Sequence, residues 1–585
     1  MQNSMDWERS SRKRGSRRWF LGVTGGAAGA ASLAALGCDG GGSTRPRPAT
    51  TASGDATRPA TTSVSTPRPP GSRRGEALRY TGYVANDGQF DPHKSQAGPF
   101  YGQQALTFSR LLAYTSQADG SVAVDLARSF EQPDPLRFVF HLNTAARWPD
   151  EAPLNGRRVT AADVKHSIER QRDGDPSFVR KSQWQNVESI EAPADDQVVV
   201  RLKAPFAGMH DLFADVNGFI VAPESTADGR AFSAEVQPGS GPFRWVEWAD
   251  GQFASVARNP RWHGGNERPF LDGVALFQPR DATEVEAGLR TKKLDVAFVG
   301  RPQADRLKKA VPALKETSVG QSRFFGMRFF TPVAPFNDER FRSAIAIALD
   351  RQEMLTKFFV GAGEVNPWVS WPNSRWSLPQ AELSGVPGYR RGAGGRAQDI
   401  ADARALLAAY AADKTVPADL PLMVMDEAEA TLGMGTLMKA QLKQSLDLNV
   451  TVVPVSIADL VRRLLEGNAA WAAGPDSGWI DLDDWVYPYF HSAGTRNSFA
   501  LRDASLDSLI ESQRTELNAA ARQGIGYEIQ RKLLALNVAA NFVSERVVAL
   551  AWSYVKDFPL DASDGYQHRF ADCWIDTADP SFRGR

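Results

Sequence analysis

Apolar and polar residues alternate over 77–84, ALRYTGYV, over 135–142, PLRFVFHL, and over 197–203, QVVVRLK. A period of two predicts strands, the second of them exposed on one face. The apolar run from Gln103 to Tyr114 predicts a helix. Thr160 with Asp163 three residues on is a capping-box start for a helix over 160–170. The stretch 241–260, GPFRWVEWADGQFASVARNP, predicts a hairpin turning at Asp250-Gly251. GVALFQP and LDVAFV read as short buried strands.

After FFGMRFF, residues 324–330, the pattern changes. Asn337 to Phe359 predicts one long helical stretch, with apolar residues at helical spacing. Helices from Gln398 to Ala412 and Gly433 to Leu446 each lead towards a strand, LPLMVM and NVTVVPV, a βα alternation. Leu506 to Asn541 is again mostly helical, and RVVALAWSYV predicts a closing strand. Two α/β lobes follow, 76–330 and 331–545, with 546–585 returning to the first. No internal repeat of useful period is present.

The front of the chain differs. RSSRKRGSRR is basic, and Trp19 to Gly37 is uncharged and rich in Gly and Ala, which together read as an export signal. Arg17-Arg18 followed by Phe20-Leu21 resembles the S-R-R-x-F-L pattern of twin-arginine signals. Ala35-Leu36-Gly37 before Cys38 resembles a lipobox, in which Cys38 would become the lipidated first residue. An uncleaved anchor, or cleavage near Ala35, is the alternative. Residues 39–75 are dominated by Gly, Ser, Thr, Pro, Ala and Arg, without an aromatic residue, and cannot bury enough apolar surface to fold. As a flexible coil they span on the order of 30–40 Å. The organisation is thus 1–38 signal, 39–75 linker, and a folded body from 76.

Charge narrows the partners. Residues 1–75 carry a net +8 and the body −8, although the whole chain is neutral. An acidic body argues against nucleic acid. Two cysteines, Cys38 and Cys573, offer neither a disulfide framework nor a CxxC metal site. The seven histidines show no HExxH and no close pair, so no metal or cofactor is expected. No G-x-S-x-G or P-loop is present, which leaves an exported hydrolase without support.

Four stretches in order resemble the family 5 extracellular solute-binding proteins of ABC importers: VAVDLARSFEQPDPLRFVFHLNTAARWPDEAPLNGRRVTAADV (122–164), GSGPFRWVEWADGQFASVARNPRWHGG (239–265), FNDERFRSAIAIALDRQEML (336–355) and DLDDWVYPYFHSAG (481–494). The resemblance covers about 76–575. It implies an α/β bilobed clamp of the periplasmic-binding-protein type, with hinges near 329–332 and 545–549 and an extra subdomain near 116–235. It further implies a monomeric, non-enzymatic receptor that holds a solute outside the cytoplasm and hands it to a membrane permease. An oligopeptide is the first expectation; an oligosaccharide or other non-peptide solute is the alternative.

The expected solute contacts are Phe100, Tyr101, Phe325, Trp471, Asp476, Trp479 and Asp481. Phe100 and Tyr101 read equally as packing aromatics, and Phe325 more readily as core. In peptide-binding members an Asp pairs with the peptide ammonium; Gly478 stands at that position, and Asp476 is the nearest substitute. Asp481, Asp483 and Asp484 also suit a helix N-cap turn. Trp368, Trp371 and Trp376 form a second cluster of flat faces suited to rings or cations. Cys573, between apolar neighbours, is expected buried and inert.

Overall fold

The computed structural model describes residues 73–585 except 83, 85–89, 95–97, 118, 228–237, 250, 266, 372, 426–428, 457–458, 461, 464–468, 477–479, 495, 499, 562–564 and 584. The signal, most of the linker, Cys38 and Trp479 lie outside the described residues.

One twelve-stranded sheet runs through both lobes. In the first lobe Ala77–Thr81 lies parallel to Gly273–Phe277 and to Val296–Val299. Gly273–Phe277 continues into the predicted hairpin of Phe253–Arg258 and Phe243–Ala249. Its turn residue Gly251 has φ 69°, a conformation glycine adopts without a Cβ clash. In the second lobe Leu420–Met425 lies parallel to both Val450–Val455 and Trp471–Asp476. Helix Glu429–Leu446 supplies the crossover, and Trp471–Asp476 runs antiparallel to Phe324–Phe329.

The strand Ala539–Trp552 joins the lobes. Its first residues pair with Phe324–Phe329, placing Ala539 opposite Arg328. Its last residues pair with Leu314–Gly320 and with Val296–Val299. The chain therefore crosses between lobes twice, at 321–323 and near 544–546. The first crossing precedes the expected 329–332. Phe329 pairs with Trp471, and the Phe330 N–H donates to the Ala470 carbonyl at 2.9 Å. The aromatic run is a buried second-lobe strand, because its rings have a core to enter.

Within 116–235 a separate antiparallel sheet forms, in the order Ala127–Asp134, Arg137–Leu142, Gln197–Leu202, Val187–Ala194. Arg137–Leu142, expected to be exposed on one face, is central and buried: Phe138 and Phe140 close on Phe213, with ring centroids 5.5 and 4.7 Å apart. The helix Ala161–Asp173 packs on this sheet and starts with the predicted Thr160–Asp163 capping box.

Two predicted helices are shorter than their apolar patterns. The run from Gln103 splits into helix Gly98–Thr107 and strand Leu112–Ser116, which pairs with Ser121–Val124. The Thr107 carbonyl accepts from the Gly241 N–H at 2.8 Å, and a Cβ on Gly241 would meet the Thr107 backbone at 2.6 Å. The stretch 337–359 is two helices, Glu339–Ala348 and Arg351–Phe359, because the Asp350 carboxylate accepts from the Glu353 N–H at 2.9 Å and caps the second. The C-terminal residues return to the first lobe: Tyr554, Phe570, Cys573 and Ile575 are buried with Leu78 and Tyr80.

Candidate functional site

Where the chain crosses between lobes they leave a cavity of about 380 Å³. This is at the small end of ligand pockets, roughly 300–1,000 Å³. The first lobe contributes Gln117, past the end of strand Leu112–Ser116, and Asp561 and Arg569 from the C-terminal return. Gly320 and Arg546 come from the crossing strands; Glu364, Trp371 and Gln380 come from the second lobe.

Charges around the cavity are paired. Arg546 meets Glu364 at 3.0 Å, and Arg569 is bonded to Asp561. Burial pushes Asp561 up to about 6 against the pull of Arg569. Trp371 is fixed through its backbone N–H, which donates to Asn366 Oδ1 at 2.9 Å. Asn366 in turn donates to Ser544 Oγ at 2.7 Å, so the indole is registered to the crossing strand. The Trp371 indole N–H is buried and has no hydrogen-bond partner among the described residues. The indole N–H groups of Trp184, Trp262, Trp376 and Trp471 stand likewise, so it is the Trp371 ring, lining the cavity, that bears on a bound molecule.

The lobes also touch beyond the cavity. The Ala207 N–H of the subdomain donates to the Arg514 carbonyl at 2.7 Å, and Ile480 enters the subdomain core with Phe206 and Leu212. Arg180 of the subdomain pairs both with Asp215 beside it and with Asp484 of the second lobe, and Gln183 donates to Asp484 at 3.1 Å.

None of the six described solute-contact candidates lines this cavity. Phe100 is buried edge-on to Trp248 and Phe90, and Tyr101 lies in the subdomain core. Phe325 packs on Phe542, and Trp471, fully buried, stacks between Phe329 and Phe336. These rings are apolar enough that the core claims them. Asp476 already has a cation, Arg328, and accepts from the Tyr489 hydroxyl at 3.3 Å. Asp481 caps helix Leu482–Phe490, accepting from the Asp483 N–H at 2.9 Å, and is held by Arg522. That is the N-cap role its sequence context also allowed. Of the second tryptophan cluster, Trp368 and Trp376 are core and Trp371 reaches the cavity. Gln117, Glu364, Gln380, Arg546, Asp561 and Arg569 carry no sequence signal; they lie in separate stretches that only the fold brings together.

The family model for bacterial extracellular solute-binding proteins, family 5 Middle, matches residues 121–497. A putative ABC transporter peptide-binding protein of Brucella ovis is 25% identical over 284 residues, 47% of this chain and 51% of that protein. The chain thus spans about half the length of such curated relatives. The structure of AgaA from A. tumefaciens R10, in complex with agropinic acid, superposes with a TM-score of 0.68 at 21% identity, covering 86% of this chain and 98% of that one. AppA from Bacillus subtilis, in complex with a nonapeptide, superposes with a TM-score of 0.69 at 18% identity, covering 86% and 99%. These structures share the bilobed α/β fold. The match runs from the subdomain's first strands past the helix that Asp481 caps, over the same two-lobed frame, and the chain belongs to the bacterial extracellular solute-binding proteins of family 5.

Proposed function

We propose that this protein is the extracytoplasmic receptor of an ABC importer, holding an oligopeptide between its lobes and passing it to the permease. The observation that carries this reading is the interlobe cavity, with paired charges of both signs and the Trp371 ring on its wall. A peptide offers apolar side chains to such a ring and charged ends to such pairs. The Brucella ovis relative is named as peptide-binding and AppA holds a nonapeptide, which supports the same class. The test is thermal denaturation of the purified protein with a tryptic casein digest. A peptide at a hundred times its dissociation constant stabilises by about 2.7 kcal/mol, so a rise in melting temperature is expected. Mass spectrometry of the retained peptides identifies them, and a digest that neither shifts the melt nor is retained overturns the reading.

A second reading, a non-peptide solute, is favoured by one observation. Asp476, the substitute for the amine-binding Asp, is already neutralised by Arg328. AgaA, with agropinic acid, is a neighbour of the same fold. A melt that moves with oligosaccharides or organic acids and not with peptides selects this reading.

The tether rests on sequence: Cys38 as lipid attachment and 39–75 as a flexible reach. Cys38→Ala is expected to move the protein from the membrane to the soluble fraction, and continued membrane association would instead indicate an uncleaved anchor.

A further inference from the structure

Two carboxyl side chains from opposite lobes meet in the interior. Asp211 lies on the subdomain helix Met209–Ala214, and Asp481 caps the second-lobe helix Leu482–Phe490. They are 6% and 3% exposed. The Gly208 backbone is close to the Asp481 side chain, since a Cβ on Gly208 would stand 3.1 Å from Asp481 Oδ1. Arg522 donates to both Asp481 oxygens, at 2.8 Å each. The Tyr114 hydroxyl donates to Asp211 at 2.5 Å, and among the described residues no Lys or Arg is ion-paired with Asp211.

Two carboxyl groups buried side by side, with a single cation committed to one of them, do not both ionise. Arg522 is committed to Asp481 and holds that group ionised, so the proton belongs to Asp211. If the lobes part, Asp211 enters water, where a carboxyl ionises near pH 4. We propose that closing the two lobes takes up one proton, on Asp211, so that pH sets the balance between open and closed forms. This rests on the reading of the protein as a clamp that closes around a solute.

The surrounding groups agree in sign. Burial, then the charge of Asp481, pushes Asp211 up to about 8, while the Tyr114 hydrogen bond, Arg375 and Arg522 oppose this. Next to the pair, Asp483 donates its N–H to Asp481, accepts from Gln513 and faces Arg514; burial raises it to about 6. Asp215 and Asp484 are paired with Arg180, and Tyr566 donates to Asp215 at 2.9 Å. His210, next to Asp211 in the chain, is lowered by burial and by Arg375, and is neutral here. Between pH 7 and 8 Asp211 therefore stands out as the group that changes charge. Its folded value is raised, so its contribution to closure is complete below the ordinary carboxyl range and is lost as pH rises through about 8. Across that window the closed-to-open ratio falls about tenfold per pH unit.

Small-angle X-ray scattering of the full chain without ligand tests this. The radius of gyration is expected to grow between pH 6 and pH 9. Asp211→Asn, whose amide oxygen still accepts from Tyr114 and which does not titrate, is expected to stay compact throughout. Infrared spectra of the parent in D2O at pH 7 should show a buried carboxylic-acid C=O band that Asp211→Asn removes. An unchanged parent radius from pH 6 to 9, an Asp211→Asn variant that expands like the parent, or a parent without the band overturns the proposal. No solute enters these measurements, so failure to bind peptides leaves them standing. Conversely, peptide binding of equal affinity at pH 6 and 9 removes the proton coupling and spares the receptor function.

Discussion

Arg180, in the first lobe's subdomain, forms an ion pair with Asp484, in the first turn of a second-lobe helix, while its other guanidinium arm holds Asp215. One cation thus serves two buried carboxylates and spans the lobe boundary. Replacing it, Arg180→Met, leaves both without a cation, with Gln183 and Tyr566 still donating to them, at a cost of about 3–5 kcal/mol at neutral pH. Urea denaturation reads the loss. Burial already raises Asp484 and Arg180 pulls it down, so the variant's deficit should shrink as pH falls and Asp484 takes a proton. A deficit that does not change with pH would show that packing dominates.

Trp371→Phe keeps a ring at the cavity but gives up part of its flat face. Stability should change little, since no protein hydrogen bond is lost among the described residues. Affinity for a peptide retained from the casein digest should fall by about 1 kcal/mol, five- to tenfold. Isothermal titration with that peptide checks it; unchanged affinity would remove the indole from the site.

Asp295 is fully buried and takes hydrogen bonds from Arg79, Arg585 and Tyr554, at 2.8–2.9 Å from Arg79 N and Nη2, 2.9 Å from Arg585 and 2.7 Å from Tyr554. Burial alone would raise it, and the two arginines outweigh that and hold it below the ordinary carboxylate range. A depressed carboxyl contributes stability above the unfolded value that is lost as pH falls through the folded one. Arg79→Met should cost about 1–3 kcal/mol at pH 7 and move acid unfolding to higher pH, as followed by circular dichroism. An acid midpoint that stays put would mean Arg585 suffices.

Cys573 has no exposed surface, and burial pushes its thiol up, with Asp557 and Asp295 adding to it. A thiol reagent at pH 8 should leave the native chain's Cys573 unmodified and react promptly once urea is added; fast labelling of the native chain would contradict its burial.

What was legible in the sequence was local. The Thr160–Asp163 cap and the hairpin through Gly251 depend on residues a few positions apart, and both stand as expected. The strand Ala539–Trp552 began seven residues earlier than its alternation suggested, because its first half is chosen by Phe324–Phe329 and not by its own pattern. The site was less legible still. A tryptophan looks the same in sequence whether it faces core or cleft, so Trp471, in a strand, and Trp371, in a turn, could not be told apart before packing was known. Arg546 and Glu364 are 182 positions apart and meet only because Gly363–Val365 pairs with the crossing strand.

That strand has a mechanical consequence. Main-chain hydrogen bonds grip Ala539–Trp552 along both halves, so relative rotation of the lobes is confined to torsion where the strand passes from Gly363–Val365 to Leu314–Gly320, at Glu545–Arg546, like the twist in a short bar clamped at each end. The angular travel is bounded by the ladders themselves. Denaturing either lobe strips the bar from the other, which makes the pair melt in a single cooperative step instead of lobe by lobe.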